Sequence, residues 1–313
     1  MTGPRRRTAG LVAALAAAAS LAACSDGPGI GLGGGEVALV ATTTQLGDFA
    51  RAVAGHRARV RQILQPNSDP HAYEPRPSDV RAVAGAKVVV RSGGDLDAWL
   101  GDVLRNARSN ARTITVLDAL RARRTSGGVD PHWWQDPRNA EIAVRRIRDA
   151  LSAVDAAGRA TYAANAARYL ARLRALDRAI AACMARVPDR DRRLVTDHDA
   201  LGYYADRYAI DVVGTVIPAL SSQAQASGGE VVRLVRTIRS AGVTTVFPES
   251  SLNPKLTKAI AREAGARIGP PLYADSLGTR GSPGATYLGA LRENTLALVR
   301  GFGDGRTRCV LPR

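Results

Sequence analysis

Residues 156–187 read AAGRATYAANAARYLARLRALDRAIAACMARV, and this stretch separates two halves of the chain that have the same pattern. After Gly158 it contains no glycine or proline until Pro188, and its larger apolar residues recur at steps of three and four. That spacing predicts one amphipathic helix, roughly 40 Å long at 1.5 Å per residue. We therefore expect a long, rigid helix that joins two lobes.

Short β-branched segments alternate with helical segments on both sides of this stretch. The predicted strands are Val37–Thr42, Ala58–Leu64, Lys87–Val90 and Thr113–Val116 before it, and Leu194–Thr196, Asp211–Val216, Val243–Phe247 and Ala266–Ile268 after it. This alternation predicts an α/β fold of two lobes, each with a four-stranded, mainly parallel sheet flanked by helices. The expected domains are an N-terminal lobe at 37–155, the linker helix at 156–187 and a C-terminal lobe at 188–313.

The first 23 residues have the layout of a secretory signal peptide. Three arginines, Arg5 to Arg7, precede the apolar run Leu11–Leu21, which is shorter than the ~20 residues that a membrane-spanning helix needs. The run ends in Leu21-Ala22-Ala23-Cys24, which resembles a bacterial lipobox, although an ordinary signal with an incidental cysteine is the alternative. We expect lipidation of Cys24, a flexible glycine-rich tether at 24–36, and a location on the extracytoplasmic face of the cell membrane.

The net charge of +16 does not predict nucleic-acid binding in this chain. Arginine is spread along the whole sequence and lysine is rare, a pattern that a coding bias explains better than a basic patch does. We expect no nucleic-acid partner, whereas attraction to an anionic membrane surface is a plausible secondary effect. Apart from Cys24, the chain contains Cys183 and Cys309, which in an oxidising compartment are either a disulfide or two separate buried thiols.

Three of the four histidines share an acidic setting. They occur in Asp69-Pro70-His71, Asp130-Pro131-His132 and Asp197-His198-Asp199, and only His56 lacks such a frame. Neutral imidazole is the commonest metal-ligating side chain, and a neighbouring group often fixes its tautomer. We expect the aspartates to orient loops or imidazoles, or to cap turns, rather than to bind metal themselves.

Each of these histidines follows a predicted strand, where open α/β sheets bind their ligands. Asp275 follows the last predicted strand of the second half, so that each lobe supplies two candidate donors to one interlobe site. Three imidazoles and one carboxylate complete a tetrahedral shell for Zn²⁺. Glu249, at the end of Val243–Phe247, is an alternative fourth ligand.

Four ordered motifs resemble one known family. They are DPHAYEPRPSD at 69–79, DPHWWQDP at 130–137, HDALGYY at 198–204, and the C-terminal stretch from Phe247-Pro248-Glu249 to DSLG at 275–278. This pattern is similar to that of the zinc/manganese solute-binding lipoproteins of ABC transporters, of the high-affinity zinc-uptake type. The resemblance covers essentially residues 37–299.

The resemblance implies two α/β lobes, a rigid helix between them and a metal at their interface. By the same resemblance the metal ligands are His71, His132, His198 and Asp275, with Glu249 close to the site. It implies a receptor rather than an enzyme, which delivers its ion to an ABC permease and its ATPase; we expect a monomer. Some members carry a histidine-rich acidic loop where this chain has the arginine-rich, histidine-free stretch 119–129.

Three nitrogens and one carboxylate favour Zn²⁺ as the transported ion, since Mn²⁺ prefers more oxygen ligands. An Mn²⁺ receptor of the same family is the alternative. Two other classes are alternatives: a zinc-dependent hydrolase with Glu249 as general base, and an adhesin-like surface protein with a structural metal. A hydrolase needs an open coordination position for water, which four protein ligands do not leave.

Overall fold

Four parallel strands form the sheet of the first lobe. In this computed structural model, which describes residues 1–3, 37–302 and 307–312, the strands are β1 (Val37–Ala41), β2 (Ala58–Gln62), β3 (Val88–Arg91) and β4 (Arg112–Thr115). They are arranged in the order β2-β1-β3-β4. The helices of this half are α1 (Thr44–Ala54), α2 (Pro77–Ala84), α3 (Leu100–Asn106) and α4 (Pro137–Val154).

The second lobe repeats this strand order. Its strands are β7 (Arg193–Thr196), β8 (Asp211–Thr215), β9 (Thr245–Val246) and β10 (Arg267–Ile268), and its helices are α6 (Gly202–Tyr208), α7 (Gly228–Ser240), α8 (Lys255–Ala264) and α9 (Tyr287–Phe302). β7 pairs with β8 and β9 with β10, all in parallel. The N–H of Phe247 donates to the carbonyl of Val195 at 2.9 Å and joins the two pairs. The resulting order is β8-β7-β9-β10, which confirms the predicted two-lobe α/β fold.

The long helix α5 (Arg159–Met184) links the lobes. Its 26 residues span about 39 Å. Its buried face includes Tyr162, Leu173 and Ile180, and it packs against α1 and α4 of the first half and α6 and α9 of the second. One continuous apolar core therefore extends through α5 from one sheet to the other, with smaller clusters on the outer faces.

Two elements were not predicted from the sequence. One is α6, which follows the third histidine motif, and the other is an antiparallel hairpin of β5 (Arg124–Thr125) and β6 (Gly128–Val129). The structure also joins Cys183, at the end of α5, to Cys309 in a disulfide.

The predicted signal peptide and tether lie almost entirely outside the described residues, and so does Cys24. Among the helices that the structure describes, none combines the length and the apolar character required to cross a membrane.

Candidate metal centre

The four predicted donors come from four separate loops beyond the carboxyl ends of strands. His71 lies in a short 3₁₀ turn, Pro70–Ala72, which follows β2. His132 directly precedes the 3₁₀ turn Trp133–Gln135, and His198 comes two residues after β7. Asp275 lies between β10 and α9. Loops at the carboxyl ends of the strands in each lobe thus supply two donors each, and this position brings together residues that are far apart in sequence.

The structure brings all four donor atoms within 4.8 Å of one another. The Nε2 atoms of His71 and His132 are 3.3 Å apart. Asp275 Oδ2 lies 3.4 Å from His71 Nε2 and 3.2 Å from His198 Nε2, while its Oδ1 lies 3.4 Å from His132 Nε2. Ligands about 2.0–2.1 Å from the centre of a tetrahedron are roughly 3.3 Å apart. These four separations are therefore close to those of a tetrahedral metal shell.

Burial makes this cluster costly without a cation. His132 and His198 are fully buried, Asp275 is 3% exposed, and only the side chain of His71 retains some exposure, at 8%. Both carboxylate oxygens of Asp275 and the Nε2 of His198 are buried and make no well-aligned hydrogen bond, although they lie within ion-pair distance of one another. Buried polar groups without full hydrogen bonding are destabilising, and a cation bound by these atoms would remove that cost.

Carboxylates behind two of the histidines fix their orientation. Asp130 Oδ1 accepts from the backbone N–H of His132 at 3.0 Å and lies 2.8 Å from its Nδ1. Glu249 Oε1 does the same for His198, at 3.0 Å from the backbone nitrogen and 2.9 Å from Nδ1. Because a carboxylate can only accept, we assign the ring protons to Nδ1, which leaves each Nε2 lone pair free for a metal. Glu249 thus contacts the ring edge opposite the donor cluster.

The framing aspartates have the supporting contacts expected of them. Asp69 Oδ1 accepts from the His71 backbone N–H at 2.9 Å and caps its turn. Asp197 accepts from the backbone N–H of Glu249 at 2.7 Å and from the hydroxyl of Thr257. It therefore supports His198 indirectly, through Glu249.

Electrostatic coupling stabilises the charged forms of Asp275 and His198. Burial raises the pKa of Asp275, but His198 and His132 outweigh it and hold that pKa well below its ordinary value. Burial lowers the pKa of His198, yet Glu249 and Asp275 raise it well above the usual value for histidine. Behind them, burial raises the pKa of Asp197 to about 6. An incoming cation must therefore displace a proton from the imidazole of His198.

Hydrogen bonds from side chains of the first lobe hold the loop that carries Asp275. The Nε2 of Gln45 donates to the carbonyl of Asp275 at 2.9 Å. Trp134 Nε1 and Gln135 Nε2 both donate to the carbonyl of Ala274, at 2.8 and 2.6 Å. These residues were not predicted from the sequence to be part of the site. The only indication in the sequence is their position: Gln45 lies shortly after β1, and Trp134 and Gln135 lie in the motif of His132.

A segment of the second lobe, residues 217–227, connects two of the donor loops. The hydroxyl of Ser222 and the amide of Gln223 donate to Asp69 Oδ2, at 2.7 and 2.9 Å, beside His71. At its start, the N–H of Ile217 donates to the carbonyl of Asp197 at 2.7 Å, beside His198. His56 is remote from this arrangement. It is exposed in the turn before β2, at the amino ends of the strands, whereas the metal donors lie beyond their carboxyl ends.

Comparison with known proteins identifies the family. The model of the ZnuA family, described as zinc-uptake complex component A, periplasmic, matches residues 39–301. The chain belongs to the ZnuA family. Members of this family are solute-binding receptors of ABC transporters, which work with a permease and an ATPase, and not enzymes. This ZnuA-family chain is accordingly a metal-binding receptor.

Relatives of this ZnuA-family chain are named for different metals. The manganese-binding lipoprotein MntA of Halalkalibacterium halodurans is 32% identical over 94% of this chain and 95% of its own length. The iron-binding protein YfeA of Yersinia pestis is 30% identical over 85% of this chain and 86% of its own.

Solved structures share the fold. The periplasmic zinc-binding protein TroA of Treponema pallidum superposes with a TM-score of 0.80 at 23% identity, over 86% of this chain and 99% of its own. The manganese-bound periplasmic metal-binding protein of Candidatus Liberibacter asiaticus has a TM-score of 0.78 at 24% identity, over 85% and 100%. At these identities the likeness concerns the fold alone.

Proposed function

We propose that this chain captures Zn²⁺ outside the cytoplasmic membrane, in a site of His71, His132, His198 and Asp275, and delivers it to the permease of an ABC importer. The observation that carries the proposal is the set of four donor atoms within 4.8 Å of one another, three of them imidazole nitrogens. Borderline imidazole ligands in a four-coordinate arrangement suit Zn²⁺, whereas Mn²⁺ prefers additional oxygen ligands.

Mn²⁺ is the second candidate cargo, because a relative at 32% identity is named a manganese-binding lipoprotein. The two ions differ in what they need from the protein. A manganese site would have to recruit oxygen donors beyond Asp275, whereas three imidazoles and one carboxylate would supply the four ligands of a tetrahedral ion.

The remaining parts of the proposal concern the chain outside the site. Residues 1–23 would be a signal peptide, Cys24 the lipid-anchored N-terminus and 24–36 a tether, in keeping with the relatives that are named lipoproteins. The lobes at 37–155 and 188–313 would work as a monomer joined by the helix at 156–187. Treatment with a signal peptidase II inhibitor tests the anchor: accumulation of an unprocessed precursor is expected, and normal processing would count against it.

Analysis of the metal that the protein carries when isolated tests the choice of ion, because a direct competition would favour Zn²⁺ over Mn²⁺ at most nitrogen and oxygen sites whatever their cargo. Protein purified without added metal is expected to retain one Zn²⁺ per chain. His132→Ala should lose this retention, while the matched variant His56→Ala, in the exposed turn before β2, should keep it. Purification with Mn²⁺ in place of Zn²⁺ would favour the second candidate, and equal metal content of wild type and His132→Ala would overturn the site.

A further inference from the structure

Arg123 lies at one edge of the site, in the arginine-rich stretch before β5. Its guanidinium donates from Nη1 to Asp130 Oδ2 at 3.0 Å and from Nε to Asp206 Oδ2 at 3.0 Å. The same Nη1 is 3.9 Å from Asp199 Oδ2. With a side chain that is 25% exposed, Arg123 is partly shielded from water and contacts three carboxylates from two lobes.

Two of these carboxylates belong to the frames of donor histidines. Asp130 uses its two oxygens differently: Oδ2 accepts from Arg123, and Oδ1 accepts from the backbone and Nδ1 of His132. Asp199 directly follows His198 in the chain. One guanidinium therefore connects the surroundings of a donor from the first lobe with those of a donor from the second.

Backbone contacts hold Arg123 in the same place. Its N–H donates to the hydroxyl of Tyr203 at 2.7 Å, and that hydroxyl donates to the carbonyl of Asp130 at 3.2 Å. The N–H of Asp130 donates back to the carbonyl of Arg123 at 2.9 Å. Gly202, at the start of α6, leaves the space for the guanidinium, because a methyl group there would collide with it.

We propose that Arg123 is a positioning residue of the metal site, which holds Asp130 so that His132 directs its Nε2 at the ion. This inference rests on the proposed function, since it assumes that His132 is a ligand. The planar, fixed geometry of a guanidinium can engage two carboxylates in defined directions, whereas the ammonium of lysine is a point charge. Partners behind the ligands typically change metal affinity by about 10–100-fold, and Arg123 acts one contact further away.

A simple charge effect makes the opposite prediction. Arginine repels a nearby cation, so that its removal would strengthen Zn²⁺ binding if electrostatic repulsion were its main contribution. If positioning dominates, Arg123→Met weakens binding despite the loss of a positive charge. The sign of the change thus separates the two explanations.

Four variants test the proposal: Arg123→Met, Arg123→Lys, Gly202→Ala and the control Arg57→Met. Gly202→Ala keeps the charge of Arg123 but displaces its guanidinium. Arg57 forms a comparable bidentate ion pair with Asp155, with hydrogen bonds of 2.6 and 3.0 Å. It lies at the amino end of β2, whereas the metal donors lie beyond the carboxyl ends of the strands. The readouts are Zn²⁺ affinity, by competition with a chelating dye, and the visible absorption bands of Co²⁺ in the site, which respond to ligand geometry.

We expect Arg123→Met to bind Zn²⁺ about tenfold more weakly, the lower end of the range for groups behind metal ligands, and to alter the Co²⁺ bands. Arg123→Lys and Gly202→Ala should fall between this variant and wild type, and Arg57→Met should match wild type. If Arg123→Met does not fold, Gly202→Ala and Arg123→Lys decide the matter. Unchanged or tighter binding by Arg123→Met would overturn the proposal, whereas failure of the wild type to bind either ion would overturn the proposed function instead.

Discussion

His198 Nδ1 lies 2.9 Å from Glu249 Oε1, and the same oxygen accepts from the backbone N–H of His198 at 3.0 Å. Glu249 is therefore a fixed acceptor that determines both the tautomer of His198 and the direction of its free nitrogen. Both side chains are fully buried, so no water can replace the contact without rearrangement.

Glu249→Gln should weaken Zn²⁺ binding by about tenfold or more, because the amide can still accept from Nδ1–H but no longer adds negative charge to the imidazole. Competition with a chelating dye measures this affinity. Glu263→Gln, on the exposed face of α8, is the matched control and should bind as wild type does. Equal affinities for the two variants would contradict the role assigned to Glu249.

The raised pKa of His198 predicts how metal binding depends on pH. Protons compete with the ion for the Nε2 of His198, so that metal affinity should decline as pH falls. Because the pKa of His198 is raised, this decline should begin above the ordinary histidine pKa of about 6.5. Zinc titrations between pH 5.5 and 9 measure this decline. A constant affinity across that range would be incompatible with a three-histidine shell.

Stability without metal should follow the opposite trend. A histidine whose pKa is raised in the folded state stabilises the fold below its unfolded pKa, and this contribution is lost as pH rises through the folded pKa. The metal-free protein should therefore become less stable as pH rises above about 6.5. Thermal melts with and without Zn²⁺ should show a metal-induced increase in Tm that grows with pH, and an increase that shrinks with pH would disprove the argument.

The contacts of Ser222 and Gln223 with Asp69 should control how fast the ion leaves. Removing both with Ser222→Ala and Gln223→Ala frees the turn that carries His71, at a cost of about 1–3 kcal/mol per lost bond to a charged group, lessened here by partial exposure. We expect loss of Zn²⁺ to a chelator to accelerate several-fold in stopped-flow measurements. Ser240→Ala, whose hydroxyl bonds only within the end of α7, should leave the rate unchanged.

The disulfide between Cys183 and Cys309 should contribute to stability and not to binding. It closes a loop of 126 residues, for which the chain-entropy relation gives about 5 kcal/mol. Cys183→Ala with Cys309→Ala should lower the free energy of unfolding by about 2–5 kcal/mol in denaturant titrations. Metal stoichiometry should stay at one ion per chain, because neither cysteine contributes a donor to the described cluster.

The continuous core through α5 should restrict the movement of the lobes. Because α5 packs against helices of both halves, a hinge would have to separate buried apolar surfaces. Small-angle scattering should therefore give closely similar radii of gyration with and without Zn²⁺. A large closure on binding would show that the helix does not act as a rigid link.

Much of this architecture could be predicted from local sequence pattern. The three-and-four spacing along α5 and the alternation of strands and helices are local signals, and strand exits then indicated where His71 and Asp275 would lie. Sequence left open whether Glu249 was a ligand. Its contact with Nδ1 of His198, the ring nitrogen that faces away from the metal donors, depends on the tertiary fold. No pattern in the sequence around either residue indicates this contact.

Contacts between residues far apart in the sequence were the main feature that could not be predicted. Gln45 and Asp275 are 230 residues apart, and Arg123 and Tyr203 are 80 apart, so neither pair leaves a periodic signature. Helix α6 was missed because its seven residues are too few to show a clear repeat. Strand β9 is shorter than predicted, two residues against the run Val243–Phe247, because β-branched composition indicates an extended backbone but not how much of it is paired.

The wide separation of the donors along the chain has a consequence for when the receptor can be loaded. His71 and His132 are 61 residues apart, and the other donors are no closer to their neighbours in sequence, so an unfolded chain holds no local fragment of the site. A polypeptide that crosses a membrane unfolded therefore cannot carry a bound ion with it. Synthesis and export of such a receptor would remove no metal ion from the cell, and the first ion it meets would be one from outside.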